Sequence, residues 1–185
     1  MPAIISMLRG VNVGGHNKIK MDALRALYES LKLQSPQTYV QSGNVIFLST
    51  EQNLPRLSQR IQDGIHRKFG FRPEIVLRTG IEFKNVIANN PFANRRDLDP
   101  TKLLVTFLAS DPGQQARDSL LKVDTRGEEL HIRGNELYIY FPNGQGRTKL
   151  PWPLLEKTLK TPFTGRNWNS VTKMLEIAVS LESAD

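Results

Sequence analysis

Four basic or titratable side chains, Arg9, His16, Lys18 and Lys20, fall within one glycine-rich stretch, Leu8-Arg9-Gly10-Val11-Asn12-Val13-Gly14-Gly15-His16-Asn17-Lys18-Ile19-Lys20. Gly10, Gly14 and Gly15 permit conformations and close backbone approach that a Cβ would forbid. The stretch leads into an amphipathic helix, whose first N–H groups have no intrahelical acceptor and attract negative charge. The chemistry this describes is anion binding, with Asn12 as a further hydrogen-bonding side chain. It is not a P-loop, because His16 follows Gly15 where Lys-Ser/Thr would be needed, and the glycine spacing is wrong for a dinucleotide fingerprint.

Two other segments carry candidate groups. In Gln41-Ser42-Gly43-Asn44 a tight hairpin turn needs the Gly and Asn, whereas Gln41 and Ser42 are polar beyond what the turn demands. They contact a ligand if the turn faces the first loop; otherwise Ser42 and Asn44 bond local backbone. In Thr164-Gly165-Arg166-Asn167-Trp168-Asn169, Asn167 or Asn169 can cap the last helix. Arg166 stands just before a helix N-terminus, where the dipole disfavours a cation, and so calls for a carboxylate or phosphate partner. With Gly144 to Lys149 it forms a second cationic cluster. His16, His66 and His131 lack metal-ligand spacing, so no metal site is expected, and no cofactor motif is present. Glu128 and Glu129 are adjacent beside a hairpin and point to opposite faces, a poor catalytic pair.

The elements that position these groups follow from periodicity. Ala3 to Leu8 is a strand. Met21, Leu24, Leu27, Tyr28 and Leu31 form one helix face. Tyr39 to Leu48 reads as two strands around Ser-Gly-Asn. Leu54 to Phe69 is a helix ended by Gly70, and Pro73 to Arg78 is a strand. Thr79 with Glu82 is a capping box for a helix through Ile87. Lys102 to Ala109 starts a second series, with Asp111-Pro112 as a helix start, a hairpin at Gly134-Asn135 and a short helix over Trp152 to Leu159. The final helix carries Trp168, Val171, Leu175 and Val179. The expected fold is α+β, with two related βαββαβ-type halves, residues 1–92 and 93–185, joined near 88–101. The second half is expected to be incomplete, with a helix where its last strand would fall.

Leu8 to Gly15, then Lys18-Ile19-Lys20-Met21, then Thr38 to Val45, together with Thr164 to Lys173 near the end, resemble the motifs of a bacterial family of unknown function, numbered 1697. Gly165 and Ser170 stand where that family would have other small or hydroxylated residues. The resemblance implies ferredoxin-like halves and brings no activity, cofactor or catalytic residue.

The chain of 185 residues has a net charge of +7. Residues 1–92 hold 12 Lys/Arg against 6 Asp/Glu, and residues 93–185 hold 13 against 12. The excess steers anions toward the first half. Zero cysteines exclude disulfides and thiolate chemistry. No apolar run approaches the roughly 20 residues of a membrane span. Met1 to Arg9 has no basic leader and reads as a strand, so a cytoplasmic protein without a membrane partner is expected. The sequence sets no oligomeric state. Three functions compete. The first is a binding module for a phosphate-bearing small molecule or nucleic acid, with Tyr138 and Tyr140 on one strand face as a base-stacking platform. The second is an enzyme in which Arg9, Lys18 and Arg166 clamp phosphate and His16 moves a proton. The third is a structural role in which the loops join the halves. The first two rest on one expectation, that folding brings the basic loop together with Arg166 around a water-filled hollow that attracts negative charge.

Overall fold

The computed structural model describes residues 1–184. The chain divides into two compact units, Met1–Asn85 together with the chain from Lys173 on, and Val86–Thr172.

In the first unit, β1 (Ala3–Leu8), α1 (Met21–Ser30), β2 (Gln34–Tyr39), β3 (Asn44–Leu48), α2 (Leu54–Phe69), β4 (Ile75–Thr79) and α3 (Gly80–Ala88, whose last residues belong to the second unit) follow in order. The strands form an antiparallel sheet in the order β2-β3-β1-β4, the ferredoxin-like arrangement. Ile4, Leu8, Val45, Phe47, Ile75 and Leu77 on one sheet face pack with the apolar stripes of α1 and α2. The opposite-facing Ile5, Met7, Ile46 and Val76 are buried too. These strands therefore read as continuous apolar runs instead of alternating. Gly70 ends α2 in the left-handed conformation, and the Thr79–Glu82 capping box forms as the sequence predicts.

The second unit repeats the pattern with β5 (Leu103–Leu108), α4 (Gln114–Leu120), β6 (Glu129–Arg133), β7 (Glu136–Tyr140), α5 (Trp152–Leu159) and β8 (Phe163–Asn167), ordered β6-β7-β5-β8. The expectation of an incomplete second half is corrected. Residues 163–167 form the fourth strand, and α6 (Trp168–Ala184) follows it as α3 follows β4. The strand escaped the sequence reading because Thr-Gly-Arg-Asn has no apolar alternation. Its side chains are nonetheless mostly buried beside β5, where Arg166 pairs with Val105 and Thr164 with Phe107. A second correction concerns α4. Gly113, not Asp111, occupies its cap position, and the Asp111 carboxylate instead accepts the Gly113 N–H at 2.8 Å.

Candidate anion site

The loop between β1 and α1 is a small folded object. At its tip the His16 N–H donates to the Val13 carbonyl at 3.0 Å, closing a turn whose two central residues, Gly14 and Gly15, have φ of +57° and +80°. Two successive positive φ values demand a type I′ geometry, which accounts for the glycine pair. Asn17 Nδ2 donates to the Gly10 carbonyl at 3.2 Å, and the Asn12 N–H to the Asn17 carbonyl at 3.2 Å.

Asn12 fastens the loop. Its Nδ2 donates to the carbonyls of Ile19 (3.0 Å) and Gln41 (2.8 Å), and its Oδ1 accepts the Ile19 N–H at 2.9 Å. Both N–H groups are thus spent on the chain itself, and Oδ1 accepts one of the two hydrogen bonds it can. Asn12 ties the two ends of the loop together and joins the loop to Gln41. Val11 and Ile19, buried at 1% and 3% exposure, anchor the loop in the core of the first unit.

The β2–β3 turn meets this loop. The Leu8 N–H donates to the Gly43 carbonyl at 3.0 Å. Gly43, with φ of +78°, sits so close that an added Cβ would lie 2.9 Å from Leu8 Cβ and 3.3 Å from Val11 Cβ. Within the turn, Asn44 is buried and donates to the Tyr39 carbonyl and to Ser42 Oγ at 2.9 Å. Ser42 and Asn44 therefore serve the turn. Val40, a β-branched residue with φ of +52°, is held in a conformation such residues rarely adopt.

Between loop and turn lies an open hollow of about 690 Å³, lined by Asn12, Gly15, Lys18, Ile19, Lys20 and Gln41. Lys20 occupies the N-cap position of α1 without any side-chain cap bond, so the first-turn N–H groups of that helix have no side-chain acceptor there. Among the described residues, no carboxylate pairs with Lys18 or Lys20. Asp22, the acid of the first turn, is engaged by Arg25 at 2.6 Å. Arg9 and His16 do not line the hollow. Arg9 is half-buried, its N–H donating to the Glu74 carbonyl, and His16 is exposed at the loop tip.

Arg166 and Asn167 belong to the second unit. The Arg166 guanidinium is buried, with Nη1 donating to Thr164 Oγ1 at 2.7 Å and to the Gly165 carbonyl at 2.8 Å. Burial pushes its pKa down to about 10. Asn167 caps α6, its Oδ1 accepting the Ser170 N–H at 2.8 Å. The proposed stacking platform is corrected: Tyr138 and Tyr140 are buried at 0% and 7% exposure, and Tyr138 donates to the Val86 carbonyl at 2.7 Å. With Tyr138 wholly inside the protein, the two rings offer no open strand face on which successive bases could stack. No grouping of His, Asp or Glu suited to a metal ion occurs among the described residues, and none of the helices described is long and apolar enough to cross a membrane.

Two ferredoxin-like halves, each followed by a helix, define the class of protein. The chain belongs to the family described as "Protein of unknown function (DUF1697)", whose pattern matches residues 1–138 and so includes both loop and turn. The fold is similar to that of the conserved bacterial protein SP0830 from Streptococcus pneumoniae. The TM-score is 0.76 at 22% identity, over 96% of this chain and 98% of that one. No curated protein matches the chain.

Proposed function

We propose that the protein binds a small phosphate-bearing molecule, without catalysis, in the hollow between the Arg9–Lys20 loop and the β2–β3 turn. The observation that carries this reading is the pair Lys18 and Lys20, with no carboxylate partner among the described residues, beside an uncapped helix start. A cation at that end of a helix opposes the dipole, so the arrangement stabilises the protein only when an anion joins it. Gln41 supplies a neutral hydrogen-bonding group on the same rim. The small molecule is favoured over nucleic acid because the aromatic platform is buried. The enzymatic alternative is disfavoured because His16 lies outside the lining.

The test is a titration with pyrophosphate and with a nucleoside triphosphate, followed by amide NMR at two salt concentrations. Salt-sensitive shifts are expected at Gly15, Lys18, Lys20 and Met21, and they should vanish in the Lys18→Ala/Lys20→Ala double variant. Absence of any saturable shift at these amides overturns the reading.

A further inference from the structure

The second unit holds a separate pocket of about 170 Å³. That is close to the roughly 150 Å³ known to accommodate a benzene-sized ring. Phe92, Leu103 and Tyr140, all buried, line it together with the half-buried Trp168. Phe92 and Tyr140 lie 6.0 Å apart, ring centre to ring centre, and His131 packs edge-on against Phe92 at 5.1 Å. These contacts fix the Phe92 ring. Two charged residues, Asp99 and Arg95, are also among the lining.

The two charges are not equivalent. Arg95 is engaged twice, by Glu129 at 2.6 Å and Asp97 at 3.2 Å. Asp99 uses only Oδ1, which accepts from the Thr101 N–H and hydroxyl at 2.9 and 2.6 Å. Among the described residues, no side chain or N–H bonds its Oδ2. The Thr101 hydroxyl and N–H hold the Asp99 carboxyl below the usual carboxylate range, and the Lys102 ammonium adds a smaller Coulombic contribution without bonding it. Three aromatic rings thus share the lining with Asp99, whose Oδ2 accepts no hydrogen bond among the described residues, while Arg95 is already paired. Aromatic faces attract cations through their quadrupole, and quaternary ammonium ions, whose alkyl shell makes them easy to desolvate, are recognised in this way.

We propose that this pocket binds a small organic ammonium ion, with Phe92, Tyr140 and Trp168 enclosing its alkyl groups and Asp99 balancing its charge. The source of the ammonium, a free amine or a methylated lysine side chain, shares one chemistry. This site is independent of the anion site in the first unit.

Choline and its uncharged isostere 3,3-dimethylbutan-1-ol are the probes, read by the indole N–H signals of Trp168 and Trp152. Choline is expected to move the Trp168 signal saturably, while Trp152, packed against Phe141, stays in place. The isostere should bind at least about ten-fold more weakly, the scale of a desolvated cation–aromatic contact. Asp99→Asn keeps an acceptor for Thr101 and should weaken choline by a similar factor while leaving the isostere unchanged. A short peptide bearing trimethyllysine, run beside its unmodified form, distinguishes the two sources, and selective binding of either methylated probe supports the site. Equal binding of choline and its isostere overturns the proposal. So does choline binding unaffected by Asp99→Asn, or no response of Trp168 to either methylated probe.

Discussion

The two halves share a scaffold and differ at one connection. Ser6 on β1 and Thr106 on β5 hold the same position in their strands, as do Arg78 on β4 and Arg166 on β8. Each arginine donates from Nη1 to the carbonyl before it, Leu77 at 3.0 Å and Gly165 at 2.8 Å. Each precedes a residue, Thr79 or Asn167, that caps the following helix. The first βα connection breaks the likeness. It runs from Arg9 to Lys20 in one half and only from Ala109 to Gly113 in the other. The charge at the helix start is reversed as well. Lysines stand before α1, whereas Asp111 stands before α4, bonded to the Gly113 N–H and to Arg117 at 3.0 Å. An acid there complements the dipole and needs nothing else. The extension of this connection in the first half has no counterpart in the second.

The comparison can be broken most forcefully at the two hairpin turns. Gly43→Ala should cost about 3 kcal/mol, because the new Cβ collides with Leu8 and Val11 at a left-handed position. Gly134→Ala has the same sign of φ, but its Cβ would meet only Glu136 Oε2 at 3.5 Å, and about 1 kcal/mol is expected. Thermal or denaturant unfolding measures both, and equal losses would show that the first turn is not crowded by the loop.

Next in size is the pair of buried hydroxyls. In the first half Ser6 Oγ and Tyr28 Oη bond at 2.8 Å inside the core, and burial raises the tyrosine pKa. In the second half Thr106 Oγ1 is buried with no hydrogen-bond partner among the described residues. Tyr28→Phe strands the serine hydroxyl and should cost about 1–3 kcal/mol. Thr106→Val removes an unsatisfied group of the same shape and should be neutral or stabilising by up to about 1 kcal/mol. A clear loss for Tyr28→Phe beside no loss for Thr106→Val in the same assay is the expected result.

The helix starts provide the smaller effects. Lys18→Ala/Lys20→Ala should abolish phosphate-dependent stabilisation while leaving the melting temperature of the free protein unchanged or slightly raised. Asp111→Asn should lower the melting temperature slightly. The Gly113 N–H, with Arg117, holds the Asp111 carboxyl below its usual range. Its contribution is therefore present above the unfolded-state pKa of about 4 and lost as pH falls through the lower folded value. The difference between wild type and Asp111→Asn should disappear in acid; a difference that persists there would point to lost packing instead.

Most of the scaffold was legible in the sequence because burial imposes a period. Leu57, Ile61 and Ile65 announced α2, and Gly70 its end. β8 was not legible, since its stability comes from pairing with β5 across a long sequence separation, which leaves no local mark. At the site, residue type was informative but role was not. Asn12 and Lys18 looked alike as hydrogen-bonding candidates, yet only the folded chain shows that Asn12 is bonded to Ile19 and Gln41. Likewise Tyr138 and Tyr140 alternate as an exposed face would, and only the second buried face of the sheet reveals them as core.

The Asn12 clasp has a kinetic consequence. For the proposed phosphate-bearing ligand, a rim that is already assembled imposes no waiting step for loop ordering, so the observed association rate should rise linearly with ligand concentration. Cutting the clasp with Asn12→Ala should therefore slow capture more than it speeds escape, turning a ready receptacle into one that must first be gathered.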